Sequence, residues 1–120
     1  MFDKPKARAV TFESCAPFIP EVILLTFRNE GFVAPTLIQQ NTWAVVMQKR
    51  DVIGVTKSGS GKNLAFLVPA FVNVLHSSIS RSIEVIVVST KRELAVQIEA
   101  EAKKFGGPCG CRAVCLRGGA

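Results

Sequence analysis

At 120 residues the chain has sequence for one domain, and with 48% apolar residues it can bury a modest core. Fifteen Lys and Arg against nine Asp and Glu leave a formal charge of +6, which favours polyanionic partners such as nucleic acid. The longest apolar run, Leu64 to Leu75, is too short to span a bilayer and is interrupted by Pro69 and Asn73, which argues against a membrane protein. Met1 to Arg8 carries charge without the apolar segment of a secretory signal, so an intracellular protein, nuclear or cytoplasmic, is expected.

Residues 1–11 read as a flexible arm, and residues 12–120 as the folded part. Val22, Ile23, Leu25 and Phe27 predict a short helix from Pro20 to Asn29, with Pro20 near its first turn and Glu30-Gly31 as its stop. Pro35-Thr36 opens a second helix with Thr36 as N-cap, carrying Leu37, Ile38, Trp43 and Val46. Asp51 to Val55 reads as a buried strand, followed by a loop and a third helix from Lys62 to about Leu75. Pro69 predicts a kink or break in that helix. Ile83 to Val88 is a β-branched apolar strand, Lys91 to Phe105 a helix with Leu94, Ile98, Ala102 and Phe105 on one face, and Ala113 to Leu116 a third short strand. Strands alternating with helices predict an α/β fold, a parallel sheet with flanking helices.

Four cysteines stand in the chain, three of them at Cys109, Cys111 and Cys115. Their spacing lacks the paired knuckles of a zinc site, and three local thiolates leave a fourth ligand unaccounted for. Reduced, partly buried thiols are expected.

The chemistry concentrates between the first strand and the third helix. Lys57-Ser-Gly-Ser-Gly-Lys62 occupies the place of a phosphate cradle. Gly59 and Gly61 allow backbone angles that turn successive N–H groups of Lys57, Ser58 and Ser60 inward. The following helix aims its positive end at the same spot, and Lys62 supplies a full charge for the terminal phosphates. Thr56 stands where the strict pattern has Gly, and Asn63 where it has Ser or Thr. An amide cannot reproduce the compact hydroxyl ligand to magnesium, so weakened magnesium binding is expected, with no protein hydroxyl to the metal.

Several segments together resemble one family. Gly31-Phe-Val-Ala-Pro-Thr-Leu-Ile-Gln39 resembles the Q motif of the DEAD-box RNA helicases, G-F-x-x-P-T-x-I-Q. Asp51 to Lys62 is similar to their phosphate-loop motif, Ser89-Thr-Lys-Arg-Glu-Leu-Ala95 to their P-T-R-E-L-A, and Cys115-Leu-Arg-Gly-Gly-Ala120 to the following strand with its Gly-Gly doublet. The resemblance covers roughly Phe12 to Ala120 with every segment in family order. It implies part of a RecA-like domain that binds ATP with magnesium and contacts RNA. It further implies that Gln39 pairs with the adenine edge, that Thr36 holds Gln39 near the loop, and that Phe12, or else Phe18, stacks on the base. Lys62 would be the catalytic lysine among the nucleotide contacts, which also include Asn63. Arg92, Gly118 and Gly119 would touch the RNA sugar-phosphate backbone without sequence preference.

The Asp-Glu-Ala-Asp box, the Ser-Ala-Thr motif and the second RecA-like domain of the family do not occur in these 120 residues. Phosphoryl transfer rests on positioned charge of the kind they supply. The expectation is therefore the ATP- and RNA-binding portion of an RNA helicase, with weak or absent hydrolysis in this polypeptide. The alternative is a non-hydrolysing nucleotide- or RNA-binding module, or a non-functional piece.

Overall fold

The computed structural model describes residues 11–56, 61–77 and 83–118. Local capping explains where most of its helices start and stop. The short α1 (Phe12–Cys15) opens on Thr11, whose hydroxyl accepts the Ser14 N–H at 3.1 Å while Ser14 Oγ accepts the Thr11 N–H at 3.2 Å. Pro20 precedes α2 (Glu21–Asn29), where a missing N–H leaves no helical bond unmade. Gly31 ends α2 at φ +85, a left-handed step that brings the Phe32 N–H to the Phe27 carbonyl at 3.0 Å and the Gly31 N–H to the Arg28 carbonyl at 3.0 Å.

Thr36 caps α3 (Leu37–Val46), and Gly61 precedes α4 (Lys62–Leu75). Of the kink or break expected at Pro69, the break does not occur: α4 runs through it. One ladder bond is forgone there, but Leu67, Val68, Pro69, Phe71 and Val72 are all buried. Their packing offsets a cost of about 3 kcal/mol for a proline in a helix interior. Helix α5 (Arg92–Gly106) carries Glu93 in its first turn and Lys103 and Lys104 in its last, both signs matched to the helix dipole. A short 3-10 turn, Gly107–Cys109, follows.

Phe27 is the hub of the core. Its ring lies 4.8 Å from Phe12, 4.8 Å from Phe105, 5.4 Å from Phe32 and 5.9 Å from Trp43, so α1, α2, α3 and α5 meet on one aromatic side chain. Helix α3 packs on α4, α4 on α5 and α2 on α5. Trp43 fixes the α3–α4 contact by donating its indole N–H to the buried Leu64 carbonyl at 3.2 Å.

The segments expected as strands behave differently. Residues 51–55, 83–88 and 113–116 form no ladder among the described residues. Most of their apolar side chains stand in the open, with Ile53 91%, Val88 87% and Leu116 90% exposed, while Ala113 packs against the core. A strand's β-branched pattern records that it is meant to be covered and paired, but not by which segment. Segment 51–56 is nevertheless placed. A Cβ on Gly54 would approach Ile38 Cδ1 of α3 to 3.0 Å, so the backbone there lies against that helix.

Candidate nucleotide site and basic groove

Thr36, Gln39 and Gly61 converge into one clasp. The Thr36 hydroxyl accepts the Gln39 N–H at 3.4 Å, and Gln39 Oε1 accepts the Thr36 N–H at 3.0 Å, a reciprocal cap of α3. The other half of the Gln39 carboxamide donates from Nε2 to the Gly61 carbonyl at 3.1 Å. Gln39 is 0% exposed, so both of its amide functions are committed in this conformation and neither faces solvent. Gly61 has to be glycine for two reasons. Its φ is +73, and an added Cβ would lie 2.6 Å from Gln39 Nε2 and 3.0 Å from the Thr36 hydroxyl.

Gly61 is also the residue that launches α4. The first N–H groups of that helix have no partner within the helix itself, and Lys62 stands exposed at the same end. Partial positive charge and a full ammonium are thereby aimed at one point, suited to an anion. Lys57, Ser58, Gly59 and Ser60 lie outside the described residues.

Asn63 turns away from that point. It is buried, and its Nδ2 donates to Glu101 Oε1 of α5 at 2.8 Å, a carboxylate that also accepts from Gln97 at 3.3 Å. The side chain in the hydroxyl-ligand position is thus tied to a neighbouring helix. As a donor set for magnesium, these residues do not fit a direct ligand at position 63.

Phe12, for which the resemblance implies base stacking, packs in the core in this conformation. Its ring is 1% exposed and lies against Phe27. Phe18 keeps 46% of its surface exposed.

The second site is a shallow groove of about 280 Å³ between the start of α5 and the segment that follows it. Ser89, Thr90, Lys91, Arg92 and Ala95 form one wall, and Leu116, Arg117 and Gly118 the other. Arg92 Nη2 donates to the Gly118 carbonyl at 3.0 Å, joining two residues 26 apart in sequence. Ser89 shapes the turn into α5, its hydroxyl donating to the Lys91 carbonyl at 3.1 Å and accepting the Lys91 N–H at 3.4 Å. Lys91, Arg92 and Arg117 give the groove three cations, and among the described residues its lining holds no carboxylate. Gly119 lies outside the described residues. Glu101 escaped the reading of the sequence because it matters only through Asn63, a partner far along the chain.

A profile of the DEAD/DEAH box helicase family matches residues 36–120. The chain belongs to that family. It is 40% identical over 113 residues to the DEAD-box ATP-dependent RNA helicase 40 of Arabidopsis thaliana, covering 92% of this chain and 10% of the relative. With the DEAD-box ATP-dependent RNA helicase 20 of Oryza sativa subsp. japonica it shares 43% identity over 103 residues, covering 83% of this chain and 21% of the relative. Among solved structures it resembles the RNA helicase Prp28 from Chaetomium thermophilum bound to ADP, with a TM-score of 0.75 and 36% identity over 85% of this chain and 26% of that one. The described residues therefore take the fold of part of a DEAD-box helicase. This DEAD-box chain spans only a tenth to a fifth of the length of the two curated relatives. Among the described residues no helix is long and apolar enough to cross a membrane.

Proposed function

We propose that the chain is the ATP-binding and RNA-contacting portion of a DEAD-box ATP-dependent RNA helicase. The observation that carries this reading is the clasp of Gln39 and Thr36 onto Gly61, which joins the Gln-bearing helix to the start of the phosphate-loop helix. Residues 12–120 form the helicase part, entered through the Thr11 cap of α1. In the complete fold, segments 51–55, 83–88 and 113–116 are neighbours in a parallel RecA-like sheet, which would cover the apolar side chains now exposed on them.

Nucleotide phosphates sit at the start of α4 and are held by its free N–H groups, by Lys62 and by the loop Lys57 to Ser60. Gln39 recognises adenine by exchanging its bond to the Gly61 carbonyl for the base edge, since a carboxamide offers one donor face and one acceptor face. Bound magnesium would supply charge neutralisation between the phosphates. The Asn63–Glu101 bond supports weaker dependence on that metal than a hydroxyl at position 63 would give. RNA lies in the groove of Lys91, Arg92 and Arg117, with backbone phosphates as the contacted groups and no base preference. Hydrolysis and unwinding belong to the longer helicase architecture, and this polypeptide contributes binding.

Titration with fluorescent adenine and guanine nucleotides tests the reading. Adenine nucleotides bind more tightly, and Lys62→Ala weakens them at least tenfold, the loss of about 1.4 kcal/mol expected when a charge-assisted contact is removed. Equal affinity for guanine nucleotides, or an unchanged Lys62→Ala variant that is still folded by circular dichroism, refutes it.

A further inference from the structure

Two thiols touch at the end of α5, apart from the nucleotide site and the groove. Cys109 closes the 3-10 turn, Gly110 follows in the left-handed region at φ +86, and Cys111 comes next. The reversal at Gly110 lets the Cys111 N–H donate to the Gly106 carbonyl at 2.9 Å. It brings the two Sγ atoms to 3.8 Å. Cys109 Sγ also donates to the Gly106 carbonyl at 3.1 Å, which keeps its side chain on the Cys111 side. Both residues are half-buried against the core, so the turn is supported from beneath and still open to a small reagent. Of the other two cysteines, Cys15 is buried and Cys115 lies further on, its backbone N–H donating to Glu99.

A disulfide places its sulfurs about 2.05 Å apart, so this pair has roughly 2 Å to close. We propose that Cys109 and Cys111 are a reversible modification site, a dithiol that a low-molecular-weight disulfide such as oxidised glutathione converts to an intramolecular disulfide. The Cys109 thiolate attacks one sulfur of the reagent, the reagent's S–S bond breaks, and one thiol leaves. Cys111 then gives its proton to solvent and attacks the Cys109 sulfur of the mixed disulfide, releasing the second thiol. The pair is oxidised by two electrons, and one reagent disulfide is reduced to two thiols. Burial, the adjacent Cys109 thiol and the Glu84 carboxylate push Cys111 up to about 11, which makes it the second group to react. Ring closure between residues two apart is strained, so the bond opens again under a modest excess of thiol.

The full chain, equilibrated over graded ratios of reduced to oxidised glutathione, alkylated and mapped by peptide mass spectrometry, decides the matter. The expected result is joint loss of two thiols, with the mass of two hydrogens missing from the peptide holding Cys109 and Cys111. That species exceeds the glutathione adduct by about tenfold or more, because the second thiol is already in contact. Cys115→Ser leaves it unchanged, and dithiothreitol reverses it. Thiols lost singly, a glutathione adduct that accumulates without closing, or a bond involving Cys115 would overturn the proposal.

Discussion

Substituting Gly61 by Ala strikes the clasp at its narrowest point. The new Cβ meets two penalties that can be separated. The first is backbone: at φ +73 an alanine costs about 1–2 kcal/mol relative to glycine. The second is steric, because the Cβ would lie 2.6 Å from Gln39 Nε2. Gln39 cannot simply swing aside, since it is 0% exposed and hydrogen-bonded at both ends of its amide. Displacing it forfeits the bond to the Gly61 carbonyl and leaves a buried donor unsatisfied, about 1–3 kcal/mol more. Gly61→Ala should thus destabilise the fold by about 2–5 kcal/mol, the sum of those two ranges. In a Gln39→Ala background the 2.6 Å contact is gone, while the backbone penalty and the 3.0 Å approach to Thr36 remain, so the double-mutant cycle shows a coupling of about 1–3 kcal/mol from the Gln39 contact. Urea denaturation of the four proteins, followed by Trp43 fluorescence, measures every corner. Additive effects within about 0.5 kcal/mol would refute the clasp as described.

Three further outcomes are expected. Trp43→Phe, which removes the indole N–H bond to the Leu64 carbonyl, lowers stability by about 0.5–1.5 kcal/mol in a circular-dichroism urea titration, the net scale of one intramolecular hydrogen bond. Asn63→Thr gives up the bond to Glu101 and restores a hydroxyl, so adenine-nucleotide affinity becomes more dependent on magnesium in paired titrations with and without EDTA. An unchanged magnesium dependence contradicts the reading of position 63. Arg92→Ala weakens RNA-oligomer binding and lowers the slope of log K against log salt by about 1, as for one lost phosphate contact, without changing sequence preference.

What the amino-acid sequence alone determined was mostly local. Pro20, Gly31, Thr36 and Gly61 punctuate the chain through their own backbone angles and short-range caps, so helices α2 to α4 begin within a residue or so of where those signals put them. The motifs from Gly31 to Gln39 and from Asp51 to Lys62 likewise carried the family, because residue types and their order survive without coordinates. Tertiary structure decided what depends on distant partners. Phe12 became a core residue because Phe27 lies over its ring, a contact no spacing rule reveals. Pro69 stayed inside α4 because burial on both sides outweighed a missing hydrogen bond. Asn63 found Glu101, and Arg92 found Gly118, across 38 and 26 residues. The apolar runs at 83–88 and 113–116 announced strands, but a strand's hydrogen bonds lie between segments, so its own residues do not specify its neighbour. A helix closes its hydrogen bonds within itself, and that is why one was legible and the other was not.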